Sequence, residues 1–175
     1  VRVQNLETKE FLDDRDVGVG NNIYEGHSVE TPEQGKAVLL FTNGSMTTLS
    51  GKARINIDEF KQAPFKGDSK LTVDSLEKEP SSSQTKIKLN YGDLVFNVKA
   101  LNANSSFIMD SPVGSAVIRG TVGQLTVSID ADGNATGGVN MVEGSVSFTD
   151  PSGNTAPVPA GQATIVQVDD DGQQI

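Results

Sequence analysis

Cysteine and tryptophan are absent from the 175 residues, and His27 is the single histidine. Without thiols there is no disulfide framework, no thiolate nucleophile and no Cys-based zinc site; a zero count is compatible with an exported protein. Long apolar runs are missing too. The longest, such as Ala37-Val38-Leu39-Leu40-Phe41, fall far short of the roughly 20 residues that a membrane-spanning helix requires. Positive charge is scarce: 14 Lys plus Arg stand against 23 Asp plus Glu, a net charge of −9 that repels phosphate backbones and argues against nucleic acid as a partner. The chain opens at Val1 with neither an initiator Met nor a basic-then-apolar leader, and reads as a mature or excised piece with its targeting segment elsewhere.

Catalytic signatures are equally thin. No Gly-x-Ser-x-Gly, His-Glu-x-x-His or phosphate-binding Gly-rich Lys-Ser/Thr loop occurs, and His27 has no assignable base partner, so it reads as structural or solvent-exposed. Carboxylates are numerous enough to supply the pair that glycoside hydrolysis needs, but two tyrosines and no tryptophan give few platforms for a sugar ring. No catalytic residue is assigned and no enzyme is expected. One stretch offers oxygen ligands at alternate positions around a glycine, Asp130, Asp132 and Asn134 beside Gly133, part of what a calcium loop requires. No Glu closes it as in an EF-hand, and Asp-Gly followed by Asn is itself a hairpin signal. Calcium is thus the one cofactor weighed, against an expectation of none.

What the sequence does contain is alternation. Ile55 with Ile57, Ile87 with Leu89 and Tyr91, Leu94 with Phe96 and Val98, Leu125 with Val127 and Ile129, and Val146 with Phe148 alternate mainly with polar residues. That is the period of strands with one buried and one wet face. Between them stand the turn formers Asn43-Gly44, Lys66-Gly67-Asp68, Tyr91-Gly92-Asp93, Asp132-Gly133-Asn134 and Asp150-Pro151-Ser152-Gly153-Asn154, which predict mostly antiparallel pairing. No long 3.6-residue stripe occurs, so little helix is expected. The fold class is all-β: a single domain over 1–175 of many short strands, stacked as a short β-solenoid-like coil or as a two-sheet sandwich. A domain of this length buries roughly 70% of the surface its unfolded chain exposes. The polar Pro/Ser-rich segment 77–84 is expected to be a mobile tip, and 169–175 a frayed tail. Arg2 to Leu6 and Ala163 to Val168 are the candidate open edges.

Three motifs, in order, carry a family resemblance: Ser111-Pro112-Val113-Gly114-Ser115-Ala116-Val117-Ile118-Arg119-Gly120-Thr121, then Val139 to Phe148 around Gly144, then Pro157-Val158-Pro159-Ala160-Gly161-Gln162. Upstream, Asn22 to Thr31 and Gly35 to Ser45 fit the opening elements. Together they resemble the FecR-like domain, an extracytoplasmic β-domain of bacteria, over about residues 17–168. The residues that carry the match, Pro112, Arg119, Gly120, Thr121, Gly144 and Gly161, read as fold-shaping: Pro112 fixes φ at the start of a strand, and Gly120 lets the backbone turn. Val122-Gly123-Gln124 before Leu125 departs from the family pattern.

The resemblance implies an extracytoplasmic location in the periplasm, at the cell surface or outside the cell. Regulatory members carry an anti-sigma segment and a membrane helix; neither is seen here, so the chain reads as an orphan type. The leading expectation is a non-catalytic interaction or scaffold module acting by protein–protein contact, with a protein or another copy of itself as partner. A self-assembling surface or filament subunit, and a periplasmic sensory module of a sigma-regulatory relay, are the alternatives.

Overall fold

A computed structural model describes residues 1–66, 72 and 75–175; the turn expected at Lys66-Gly67-Asp68 lies at Gly67 and Asp68 outside the described residues. Thirteen strands are formed: β1 (Arg2–Asn5), β2 (His27–Glu30), β3 (Ala37–Leu40), β4 (Met46–Leu49), β5 (Arg54–Gln62), β6 (Ser83–Val98), β7 (Ser106–Ser111), β8 (Gly114–Ile118), β9 (Thr121–Ile129), β10 (Ala135–Glu143), β11 (Ser145–Thr149), β12 (Thr155–Pro159) and β13 (Val166–Val168). The named helical element is a 3-10 turn at Asp14–Asp16. The all-β expectation holds.

Two layers share one long strand. Sheet A runs β1-β2-β5-β6-β7-β8-β11-β12, and sheet B runs β3-β4-β6-β9-β10-β13. Every pairing between these strands is antiparallel except β6 with β7, which is parallel. The first half of β6 belongs to sheet A, through Arg54↔Tyr91 and its neighbours, and the second half to sheet B, beginning at Gly92↔Val127. The sequence suggested a turn at Tyr91-Gly92-Asp93 between two strands; the structure keeps one strand and bends it there. Burial explains how. Thr85, Ile87 and Leu89 are buried at odd positions, whereas Leu94, Phe96 and Val98 are buried at even ones. A strand alternates strictly, so one residue must be absorbed for both halves to face the same interior. Gly92, at φ +96°, sits where that change occurs.

The interior is one continuous apolar cluster drawn from both sheets, including Ile55, Ile87, Leu89, Phe107, Met109 and Ile118 from A and Leu49, Leu94, Phe96, Leu125 and Met141 from B. Each such side chain contributes roughly 1.5–3 kcal/mol on burial. Phe41, just beyond β3, meets Phe107 of β7 edge-on at 6.0 Å and so ties the two layers together.

Two segments expected to be loose make definite contacts. Within 77–84, Glu79 is only 4% exposed and β6 already begins at Ser83, so this stretch is anchored in the protein interior. The tail 169–175 folds back: Gly172 N–H donates to Asp169, Ile175 N–H donates to Gln167, and Gln174 bridges Val168.

Candidate interaction surface

The outward side chains of the two sheets differ sharply. Residues directly opposite each other in an antiparallel pair share a face. Across sheet A one rung reads Gln4–Ser28–Asn56 and continues through Lys88, Asp110 and Ser115; others join Arg2, Glu30 and Arg54, and Glu59 to Lys86. Lys86 Nζ lies 3.0 Å from Asp110 Oδ2, and that bond holds the ammonium above its ordinary pKa. This is a charged face with internal partners.

Across sheet B the corresponding rungs read Val38–Thr48–Val95–Gln124–Asn140 and Leu40–Met46–Asn97–Val122. Neither carries a charge until Glu143 at the far end of the second. The next rung adds Asp93, whose Oδ1 accepts from Thr126 Oγ1 at 2.7 Å and Gln124 Nε2 at 3.2 Å. Val38, Leu40, Met46 and Val95 are all exposed on this side. In a chain of 37 charged residues, a broad face with so little charge matches the composition of interface cores.

The residues singled out from sequence go elsewhere. Pro112 lies in the turn joining β7 to β8, closed by Ser111 Oγ donating to Gly114. Gly120, Thr121 and Gly144 meet at the opposite end: a Cβ on Gly144 would fall 2.6 Å from Thr121 Cγ2, and one on Gly120 2.9 Å from Ala100 Cα. Gly161 N–H donates to Met141 and Ala160 N–H to Gly144, drawing the third motif onto the second. Arg119 points outward from this junction. The motif is a set of tight turns and close approaches.

Asp130, Asp132 and Asn134 form the β9–β10 turn. Asp130 Oδ1 accepts from the backbone N–H groups of Asp132 and Asn134, both at 2.9 Å, and its Oδ2 from Asn134 Nδ2 at 2.9 Å. The same construction closes β11–β12, where Asp150 binds Asn154, and the last turn, where Asp169 accepts from Gln173. An Asp, a Gly three positions on and an amide residue after it recur in all three. Among the described residues no cluster of three His, Cys, Asp or Glu could hold a metal.

The Asp130 and Asp150 carboxylates titrate low. For Asp150 the Asn154 side chain, then its backbone N–H, lower the pKa; for Asp130 the Asn134 side chain leads, against a desolvation cost and with backbone N–H groups behind it. A carboxylate whose folded pKa is depressed contributes stability above its unfolded value, about 4, and loses it as pH falls through the folded one. Asp150→Asn should therefore melt slightly below wild type at pH 7, with the gap closing near pH 2 in thermal scans followed by circular dichroism.

His27 opens β2 with Nδ1 3.0 Å from the Tyr24 carbonyl oxygen, an acceptor that fixes the Nδ1–H tautomer. At the β6 corner a depression of about 560 Å³ is lined by Lys52, Tyr91, Asp93, Thr126 and neighbours. It gathers one carboxylate, already bonded, and no histidine.

A two-layer all-β module in which one sheet turns a sparsely charged face outward is the class that this geometry defines. The chain matches the FecR protein family over residues 27–147, more than half its length, and belongs to that family. Two crystal structures of a candidate anti-sigma factor from Parabacteroides distasonis share the fold, with a TM-score of 0.56 at 9% identity. The alignment covers 85% of this chain and 57% of theirs, so the chain spans little more than half the length of those proteins. No curated protein matches. Among the described residues no helix is long and apolar enough to cross a membrane.

Proposed function

We propose that this chain is a non-catalytic, extracytoplasmic contact module whose working surface is the outer face of sheet B. The observation that carries the reading is the contrast between faces: sheet A presents Arg2, Glu30, Arg54, Lys86, Lys88 and Asp110, whereas the two rungs of sheet B that start at Val38 and Leu40 present Val, Leu, Met, Thr, Asn and Gln, with Glu143 alone at the far end of the second. Membership of the FecR family supports the extracytoplasmic setting. The turn carboxylates serve the turns, and no cofactor enters the reading.

Val95→Lys and Gln124→Lys place charge at the centre of that face without touching the core. In-cell cross-linking of the exported protein should lose its protein adducts with these variants and keep them with Ser147→Lys on sheet A. Adducts that survive the first pair and vanish with the control, or a small-molecule turnover abolished by changing His27 or an Asp, would refute the reading.

A second reading, a sensory module of a sigma-regulatory relay, is favoured by family membership together with the structural likeness to a candidate anti-sigma factor. It predicts that the same Val95→Lys change alters a sigma-dependent reporter in cells that carry the relay.

A further inference from the structure

Sheets A and B end in four edge strands, and three of them are protected. Edge β1 is covered by the segment after it: Asn5 N–H donates to Glu10, Leu12 N–H to Val3, and Phe11 bridges Gln4. Edge β12 carries Pro157 and Pro159. The hydrogen-bonded pair Asp150–Asn154 sets the alternation of the β11–β12 hairpin, so both prolines fall where an N–H would face outward. Edge β13 is paired on its free side by Gln174 and Ile175.

Edge β3 has none of these devices. Its sequence, Ala-Val-Leu-Leu, contains no charge, proline or bulge, and among the described residues it pairs with β4 alone. Phe41 N–H donates to Ser45, which makes Leu39↔Thr47 the next hydrogen-bonded pair and turns the N–H and C=O of Val38 and Leu40 toward the open side. Unpaired edge groups of this kind are templates for strand addition.

We infer that the chain pairs with a second copy of itself through β3, antiparallel about a two-fold axis at Leu39. This goes beyond the reading of the outer face of sheet B: it uses the open edge of the same sheet and names a second copy as the partner there. The register is self-complementary: Val38 of one copy faces Leu40 of the other, all four outward N–H groups find outward carbonyls, and the two Leu39 residues meet in a non-hydrogen-bonded pair. Charge permits the pairing: β3 carries no carboxylate, so two chains of net charge −9 can align along it with no acidic residues opposed within the strand pair.

The absence of native cysteine makes the test direct. In a non-hydrogen-bonded pair the Cα atoms lie about 4.5 Å apart, within reach of a disulfide. Leu39→Cys should form a disulfide dimer on mild oxidation, whereas Thr155→Cys on the proline-protected edge should not. In parallel, sedimentation of the cysteine-free protein should show a concentration-dependent dimer that Leu40→Lys weakens about tenfold or more. A monomer at every concentration, or equal cross-linking at both cysteines, overturns the pairing. If the pairing fails while Val95→Lys still removes protein adducts, the contact face stands with a different partner; if both fail, the functional reading falls too.

Discussion

Gly92→Ala should cost about 4 kcal/mol, adding strain of about 1–3 kcal/mol for a left-handed residue to a similar overpacking term. A Cβ there would stand 2.3 Å from Ala53 Cβ and 2.5 Å from Ala53 Cα. Ala53 cannot yield: it is fully buried, its carbonyl accepts from Thr31 N–H and its N–H donates to Thr31 Oγ1 at 3.0 Å. The corner of β6 would open or the strand would shift register, and either exposes Leu94 and Phe96. Gly153→Ala is the control, because φ is also positive, +86°, but no atom lies within 4 Å of the added carbon. It should lose about 1–2 kcal/mol, the strain alone. Urea titrations of the two variants separate the terms. Equal losses would mean that the close approach at Ala53 contributes nothing to the corner.

Alternation made most of this architecture legible, and its limits show at particular residues. Ile55, Leu125 and Phe148 sit in strands where their period placed them, and Asp132-Gly133-Asn134 closes a hairpin as its composition indicated. The Tyr91-Gly92-Asp93 signal predicts a turn because a glycine that absorbs one residue inside a strand looks, in sequence, like one that ends it. The parallel partnership of β6 with β7 depends on contacts between Gln84 and Ser106 that no local pattern encodes. Arg2 to Leu6 and Ala163 to Val168 are the open edges that sequence suggests, but both are covered, and the one left bare is β3. Its signal is the uncharged run Ala37 to Phe41, too short to cross a membrane but long enough for a bare edge. The rung-by-rung contrast between faces needed the strand registers.

Glu79→Ala should destabilise the protein by about 3 kcal/mol, since a buried carboxylate is removed from donors that have no other acceptor. Glu79 Oε2 accepts from Ser83 Oγ at 2.6 Å, and Oε1 accepts from Asn102 N–H at 2.7 Å and from Ser105 Oγ. Ser83 Oγ in turn accepts from Asn43 Nδ2 at 3.1 Å, so one side chain gathers the β3–β4 turn, the start of β6 and the approach to β7. No ion pair to Glu79 is found among the described residues, which leaves hydrogen bonds as the compensation for burying its charge. Glu79→Gln keeps the Oε1 acceptor but turns an amide donor toward Ser83, already bonded by Asn43; its loss should be about half as large. Combining Glu79→Leu with Ser83→Ala and Ser105→Ala removes donors together with their acceptor, and should recover much of the stability that Glu79→Ala loses. Chemical denaturation of the three variants orders them. If Glu79→Ala unfolds with the wild-type midpoint, the network binds nothing together, and the segment 77–84 is the loose tip that its composition suggests.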